Sequence, residues 1–261
     1  MQKNNRGLIL AIIFASTVVS GSLVFFGMQI TGAQEPESVT NEAIAQGIEN
    51  YIAQKQEEQF QQQQTAMQQK NDLVKNAKPV DPQKDHIRGD KGSEISLIEF
   101  SDFECPFCKN FHGTAKQVLD NYDGKVNWVY RHYPLSFHDP LATREAIATE
   151  CANELGGNDK FWEMADLLFD RTTSNGRGLD PKSLPDFAEE IGINKANFEA
   201  CLESGKFDDH IAQDMSDGAA AGITGTPGNI LINNKTGETV LIEGAQPLEV
   251  LKENIDKLLE T

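Results

Sequence analysis

Four residues carry chemistry at close spacing, Cys105-Pro106-Phe107-Cys108. The alternating run Ile95-Ser96-Leu97-Ile98-Glu99-Phe100 precedes them and predicts a buried strand. Phe111, Ala115, Val118, Leu119 and Tyr122 follow at three- and four-residue steps and predict a helix starting near Cys105. A C-x-x-C in the first turn of a helix fed by a strand is the context in which the motif does thiol–disulfide exchange. Free N–H groups and the positive end of the helix dipole favour a thiolate at Cys105. Cys108, one turn on, is placed to attack a mixed disulfide formed there. A rival reading is zinc, since Cys105, Cys108 and His112 share one helix face. A structural zinc site needs a fourth ligand at matching spacing, and the two remaining cysteines stand singly.

The elements that must hold this motif follow in order. Lys78 to Gly92, with Pro79, Pro82, Gly89 and Gly92, reads as a boundary loop. Lys125 to Tyr130 predicts a second strand after the cysteine helix. A helix-rich middle runs from about Asp139 to Ala221, with helices over Ala142–Leu155, Lys160–Asp170, Pro181–Ile191, Lys195–Ser204 and Phe207–Ala221. Phe161, Trp162, Phe169 and Phe187 within it are expected in the core. Gly222 to Gly228 breaks the helical run, and Asn229–Ile232 and Thr239–Glu243 then read as a hairpin. Pro247 opens a last helix whose buried face is Leu248, Leu251, Ile255, Leu258 and Leu259. The order implies an α/β fold, a mixed sheet covered by helices with a helical insertion at about 138–221.

The chain has 261 residues and a formal charge of −17, and such a surface excludes phosphate-backbone binding, so no nucleic acid is expected. Leu8 to Met28 is mostly apolar; as a helix at about 1.5 Å per residue it spans roughly 31 Å, enough for a bilayer core. Lys3 and Arg6 before it, and Glu35 and Glu37 after it, place the N-terminus inside and the remainder outside. Residues 1–33 thus read as a retained membrane anchor, with a cleaved signal peptide ending near Ala33 as the alternative. Residues 34–80 read as a glutamine-rich stalk, helical or disordered. Ile44, Ile48, Tyr51 and Ile52 give it a short stripe behind Thr40, a candidate cap. Residues 81–261 form the folded domain.

Phe100-Ser101-Asp102-Phe103-Glu104-Cys105-Pro106-Phe107-Cys108, with Thr224-Gly225-Thr226-Pro227 far downstream, resembles the DsbA-like branch of the thioredoxin superfamily. The resemblance runs from about Asp85 to Leu259. It implies a thioredoxin-like fold, Cys105 as nucleophile, and a cis-proline loop, Thr226-Pro227, facing it. It also implies a buried acid at Glu99 that moves protons around Cys108, and regeneration by a membrane quinone-linked thiol oxidase. Burial in an apolar strand would raise the Glu99 pKa toward neutrality, as that role requires; a solvated strand-edge glutamate is the rival. Strongly oxidising members often carry histidine where this chain has Phe107. Asp102 and Glu104, beside the nucleophile, are expected to oppose its ionisation. Cys151 and Cys201 are either two buried thiols acting as small hydrophobes or a structural disulfide, which an exported domain favours and some DsbA-like proteins have.

The reading is an extracytoplasmic thiol–disulfide oxidoreductase, tethered to the cell membrane through Leu8–Met28, that introduces disulfides into reduced exported polypeptides. It would be periplasmic or secreted if the segment is cleaved. The candidate catalytic residues are Cys105, Cys108, Glu99, Thr226 and Pro227, with no cofactor and no metal. The alternatives are a tethered reductase or isomerase, since C-x-x-C alone does not fix the direction of transfer, and a non-catalytic chaperone-like or zinc-binding domain.

Overall fold

The computed structural model describes residues 40–261, in two units that divide after Glu57. Helix α1 spans Asn41–Leu73, and none of its side chains is buried. The Thr40 hydroxyl caps it, accepting from the Ala43 N–H at 3.2 Å. Its stripe, Ile44, Ile48, Tyr51 and Ile52, is exposed. The anchor expected at Leu8–Met28 lies outside the described residues. Among those described, no helix is long and apolar enough to cross a membrane.

In the second unit, β1 (His86–Arg88), β2 (Ile95–Ser101), β3 (Val126–His132), β4 (Gly228–Asn233) and β5 (Thr239–Glu243) form one sheet in the order β1-β3-β2-β4-β5. Only β2 and β3 pair in parallel. The helix between them, α2 (Pro106–Tyr122), is the crossover that a parallel pair demands. The insertion holds α3 (Leu141–Gly156), α4 (Asn158–Arg171), α5 (Leu184–Glu190), α6 (Lys195–Leu202) and α7 (Asp208–Ala220); α8 (Leu248–Leu259) closes the chain.

Every residue of β2 and β3 is buried. The two-residue period then sorts side chains into two cores. Ile95, Leu97, Val126, Trp128 and Tyr130 join Phe111, Ala115 and Val118 of α2 and the insertion's Phe161, Trp162, Phe169 and Phe187. Ile98, Phe100 and Val129 face the other way, against Val74, Ile87, Ile223 and Ile230. Each such aliphatic side chain stabilises the fold by roughly 1.5–3 kcal/mol. In α8 the innermost residues are Leu251, Ile255 and Leu258.

Three boundaries differ from the expectation. The segment 78–92 is not all loop, because β1 adds an edge strand antiparallel to β3. Three residues with no alternation of their own give no strand signal; the register comes from β3. The domain's packing also begins before residue 81. Val74 is 2% exposed, and Arg131, paired with Asp85 at 3.0 Å, donates to the carbonyls of Lys78 and Pro79. The helix expected over Pro181–Ile191 divides into a 3-10 turn, Pro181–Ser183, and α5.

Candidate active site

Cys105 stands at the N-cap of α2 in extended conformation, with Pro106 in the first turn, where a missing N–H costs little. Cys108, one turn in, is fully buried, and both cysteines are free thiols. The Thr226–Pro227 peptide is cis, and this loop covers the nucleophile: the Cys105 thiol donates to the Thr226 carbonyl at 3.4 Å. Cys105 is consequently 3% exposed. Ile223 to Gly228, with Glu243 and Gly244, line a cavity of about 190 Å³ on the proline loop, to which neither cysteine contributes. The larger groove of about 820 Å³, walled by Leu141, Leu179, Pro185 and Leu202, also touches neither cysteine.

The acidities of the two thiols are driven in opposite directions. A hydrogen bond from Cys108 brings the Cys105 thiol down to about 6; burial opposes this, while the Thr226 hydroxyl and the N–H groups of Cys108 and Phe107 assist. The Thr226 hydroxyl has no hydrogen-bond partner on other residues, so it is free for the thiolate. Burial drives Cys108 well above its ordinary value, and the neighbouring Cys105 and Glu99 add to the rise.

Glu99 is fully buried. Ser101 Oγ donates to its Oε1 at 2.6 Å and Trp128 Nε1 to its Oε2 at 3.0 Å. Burial raises its pKa to about 8 against those two hydrogen bonds. Glu99, Ser101, Trp128 and Tyr130 lie on one sheet face by strand alternation and by the register that sets Glu99 opposite Tyr130. Ser101 works against the rise at Cys108, and the buried Tyr130 hydroxyl has no hydrogen-bond partner. Ser101, Trp128 and Tyr130 were missed in the sequence, although their two-residue spacing on β2 and β3 was the available signal.

Asp102 and Glu104 do not act as expected. Both are buried and held by hydrogen bonds. Asp102 accepts from the N–H groups of Glu104 and Leu135 and meets His138 Nδ1 at 2.7 Å. Glu104 accepts from the Thr172 hydroxyl and the Gly178 N–H. Hydrogen bonds at the sulfur govern Cys105, and these two carboxylates do not offset them. Glu145 of α3 lies against them, raised to about 10 by burial first and by the charges of Glu104 and Asp102. A side chain at Gly178 would strike Thr172 and Glu104, so this insertion loop needs glycine. His112 turns away from the cysteines: its Nε2 meets Asp166 at 2.6 Å, and its ring packs on Trp128 and Phe169. The zinc reading through His112 therefore has no geometric support. Cys151 of α3 and Cys201 of α6 are joined by a disulfide, with their Cα atoms 5.8 Å apart.

A thioredoxin family model matches residues 81–257. The crystal structure of DsbA2 from Pseudomonas aeruginosa shares 34% identity over 69% of this chain and 97% of its own, with a TM-score of 0.62. The chain belongs to the thioredoxin family, in its DsbA-like branch. The oxidised BdbD of Bacillus subtilis has the same fold at 22% identity, over 71% of this chain and 97% of its own, with a TM-score of 0.60. The Na(+)/H(+) antiporter NhaA 3 of Salinispora tropica is 35% identical over 149 residues, 57% of this chain. The chain spans about a fifth of that relative's length. The family match runs from before β1 to residue 257 within α8, and with it come both cysteines, the cis-proline loop and the buried acid.

Proposed function

We propose that this protein is an extracytoplasmic, DsbA-like thiol–disulfide oxidoreductase that introduces disulfides into exported polypeptides at Cys105–Cys108. One observation carries the reading: a Cys105 thiol lowered to about 6 beside a Cys108 thiol raised far above it. A pair whose reduced form is stabilised as a thiolate gives up its disulfide readily.

In this reaction a substrate thiolate attacks the Cys105 sulfur of the disulfide, the Cys105–Cys108 bond breaks, and Cys108 leaves with the electron pair. Glu99, neutral below about 8, gives Cys108 a proton through the Ser101 hydroxyl. The substrate's second thiolate then attacks its own sulfur in the mixed disulfide, which releases Cys105 as thiolate. Thr226 and Pro227 border the cleft where an extended substrate would lie, and a strand-like segment can pair with backbone there. A membrane quinone-linked thiol oxidase would accept the two electrons and restore the disulfide. The Cys151–Cys201 bridge supports an oxidising compartment, and Leu8–Met28 supports tethering at the membrane.

The test is the Cys105–Cys108 reduction potential, equilibrated against glutathione. A value nearer the roughly −120 mV of a strong oxidant than the roughly −270 mV of a thioredoxin is expected. A value at the lower end would give the tethered reductase or isomerase reading, which the absence of histidine at Phe107 favours. Retained turnover in Cys105→Ser would remove Cys105 as the nucleophile, and no dithiol oxidation or disulfide reduction by the unaltered protein would give the non-catalytic reading.

A further inference from the structure

Outside the cysteine site, three imidazoles from three elements converge on one buried carboxylate. Oε1 of Glu150, on α3, lies 2.6 Å from His86 Nε2 at the start of β1 and 2.9 Å from His132 Nε2 at the end of β3. It lies 3.4 Å from His210 Nε2 on α7. The ring centroids form a nearly equilateral triangle with sides of 6.4, 6.4 and 6.3 Å. His86, His132 and Glu150 are at most 4% exposed. The His86 ring is further held by stacking on Phe161, with centroids 3.7 Å apart.

Hydrogen bonding alone fills this cluster poorly. A carboxylate oxygen has about two lone-pair sites, yet three Nε2 atoms crowd a single one, and the third is left at 3.4 Å. Each of the three must also carry a hydrogen on Nε2 to face that oxygen without repulsion. A cation reverses the demand, because it takes the nitrogen lone pairs and the carboxylate charge together. The coordinating atoms of His86, Glu150 and His210 all lie within 4.8 Å of one another, a cluster able to close on one ion.

We propose that His86, Glu150 and His210 form a binding site for a divalent cation of the zinc class, with His132 holding the Glu150 carboxylate as its outer partner. Two imidazoles and one carboxylate suit zinc, cobalt or nickel and not calcium or magnesium, which take oxygen ligands. A fourth position is left for water or Asp214, whose Oδ2 is 4.0 Å from His210 Nε2 and also accepts the His132 N–H. The His210 side chain is 40% exposed and is the way in. The ion would staple the sheet, through β1, to the insertion helices α3 and α7, independently of thiol exchange.

The test uses the untagged full-length chain, oxidised so that Cys105 and Cys108 cannot ligate. It is dialysed against zinc chloride and then against metal-free buffer, and its zinc content and melting temperature are measured. We expect one retained zinc per chain and a higher melting temperature when loaded. His210→Ala, a surface change that leaves the fold intact, should weaken retention by about tenfold or more, since even outer partners of a metal cost that much. Replacing Cys105 and Cys108 together by serine should leave retention unchanged. Cobalt in place of zinc should give visible bands without thiolate charge transfer. No zinc retained by the oxidised chain, equal retention by His210→Ala, or loss of zinc with the cysteines would each overturn the site.

Discussion

At the scale of single residues, Ser101 and Glu99 act as one unit. Trp128 donates to Glu99 Oε2, so a proton on the acid sits at Oε1, where the Ser101 hydroxyl can turn from donor to acceptor. Both protonation states are thereby satisfied, which a buried proton store needs. The folded pKa of about 8 exceeds the roughly 4.3 of an unfolded glutamate. This group's contribution to stability is therefore full below the unfolded value and is lost as pH rises through 8. Between those values the loss is about 1.4 kcal/mol per pH unit. Glutamine matches the protonated acid, accepting from Trp128 and donating to Ser101. Glu99→Gln should flatten the fall in stability between pH 5 and 8 by about that slope, read by urea unfolding, while slowing disulfide release from Cys108. An unchanged slope would mean that Glu99 stays ionised. Phe107, 62% exposed, lends the thiolate only its backbone N–H. Phe107→His adds a donor or a charge at the helix N-terminus. We expect a more oxidising potential, by roughly 30 mV for each 1.4 kcal/mol gained by the reduced form, and a lower Cys105 pKa by thiolate absorbance. A potential that stays put would show that residue 107 does not set it.

At the scale of elements, the insertion is a working part of the site. Its loop at Thr172–Gly178 holds Glu104, and its helix α3 sets Glu145 against the same carboxylate. The turn leading into Cys105 is thus clamped from the insertion side. The Cys151–Cys201 bridge ties α3 to α6 across 50 residues of chain. Replacing both cysteines by serine should cost about 4 kcal/mol in the chain-entropy model. Turnover at Cys105 under stable conditions should survive, checked by denaturant unfolding beside a dithiol-oxidation assay. Loss of turnover without loss of stability would make the bridge part of the reaction.

At the scale of the molecule, the second core depends on chain that precedes the family's boundary. Val74 fills it from outside residues 81–257, and the carbonyls of Lys78 and Pro79 complete the shell of the buried Arg131. A chain beginning at Gln69 should keep full stability. One beginning at Lys84 should lose roughly 1.5–3 kcal/mol for Val74 alone, and more for the carbonyls withdrawn from Arg131. Melting temperatures of the two compare them directly. Equal values would mean that this segment only rests on the surface.

The sequence by itself determined the C-x-x-C at a helix start, the strands on either side of that helix, the hairpin, the last helix and the insertion's place. These rest on local periodicity and turn chemistry, which a chain carries without its partners. The resemblance added the proline loop and Glu99. Only the tertiary structure decided what surrounds each group. Strand pairing set Trp128 and Tyr130 beside Glu99; β1 took its identity from β3; and hydrogen bonds from the insertion held Asp102 and Glu104 where nearness in sequence had set them against the thiolate. His86, Glu150 and His210 stand far apart in the chain and share no motif. Their meeting needed three elements packed together, because donors and charges that interact through space leave no period in the sequence.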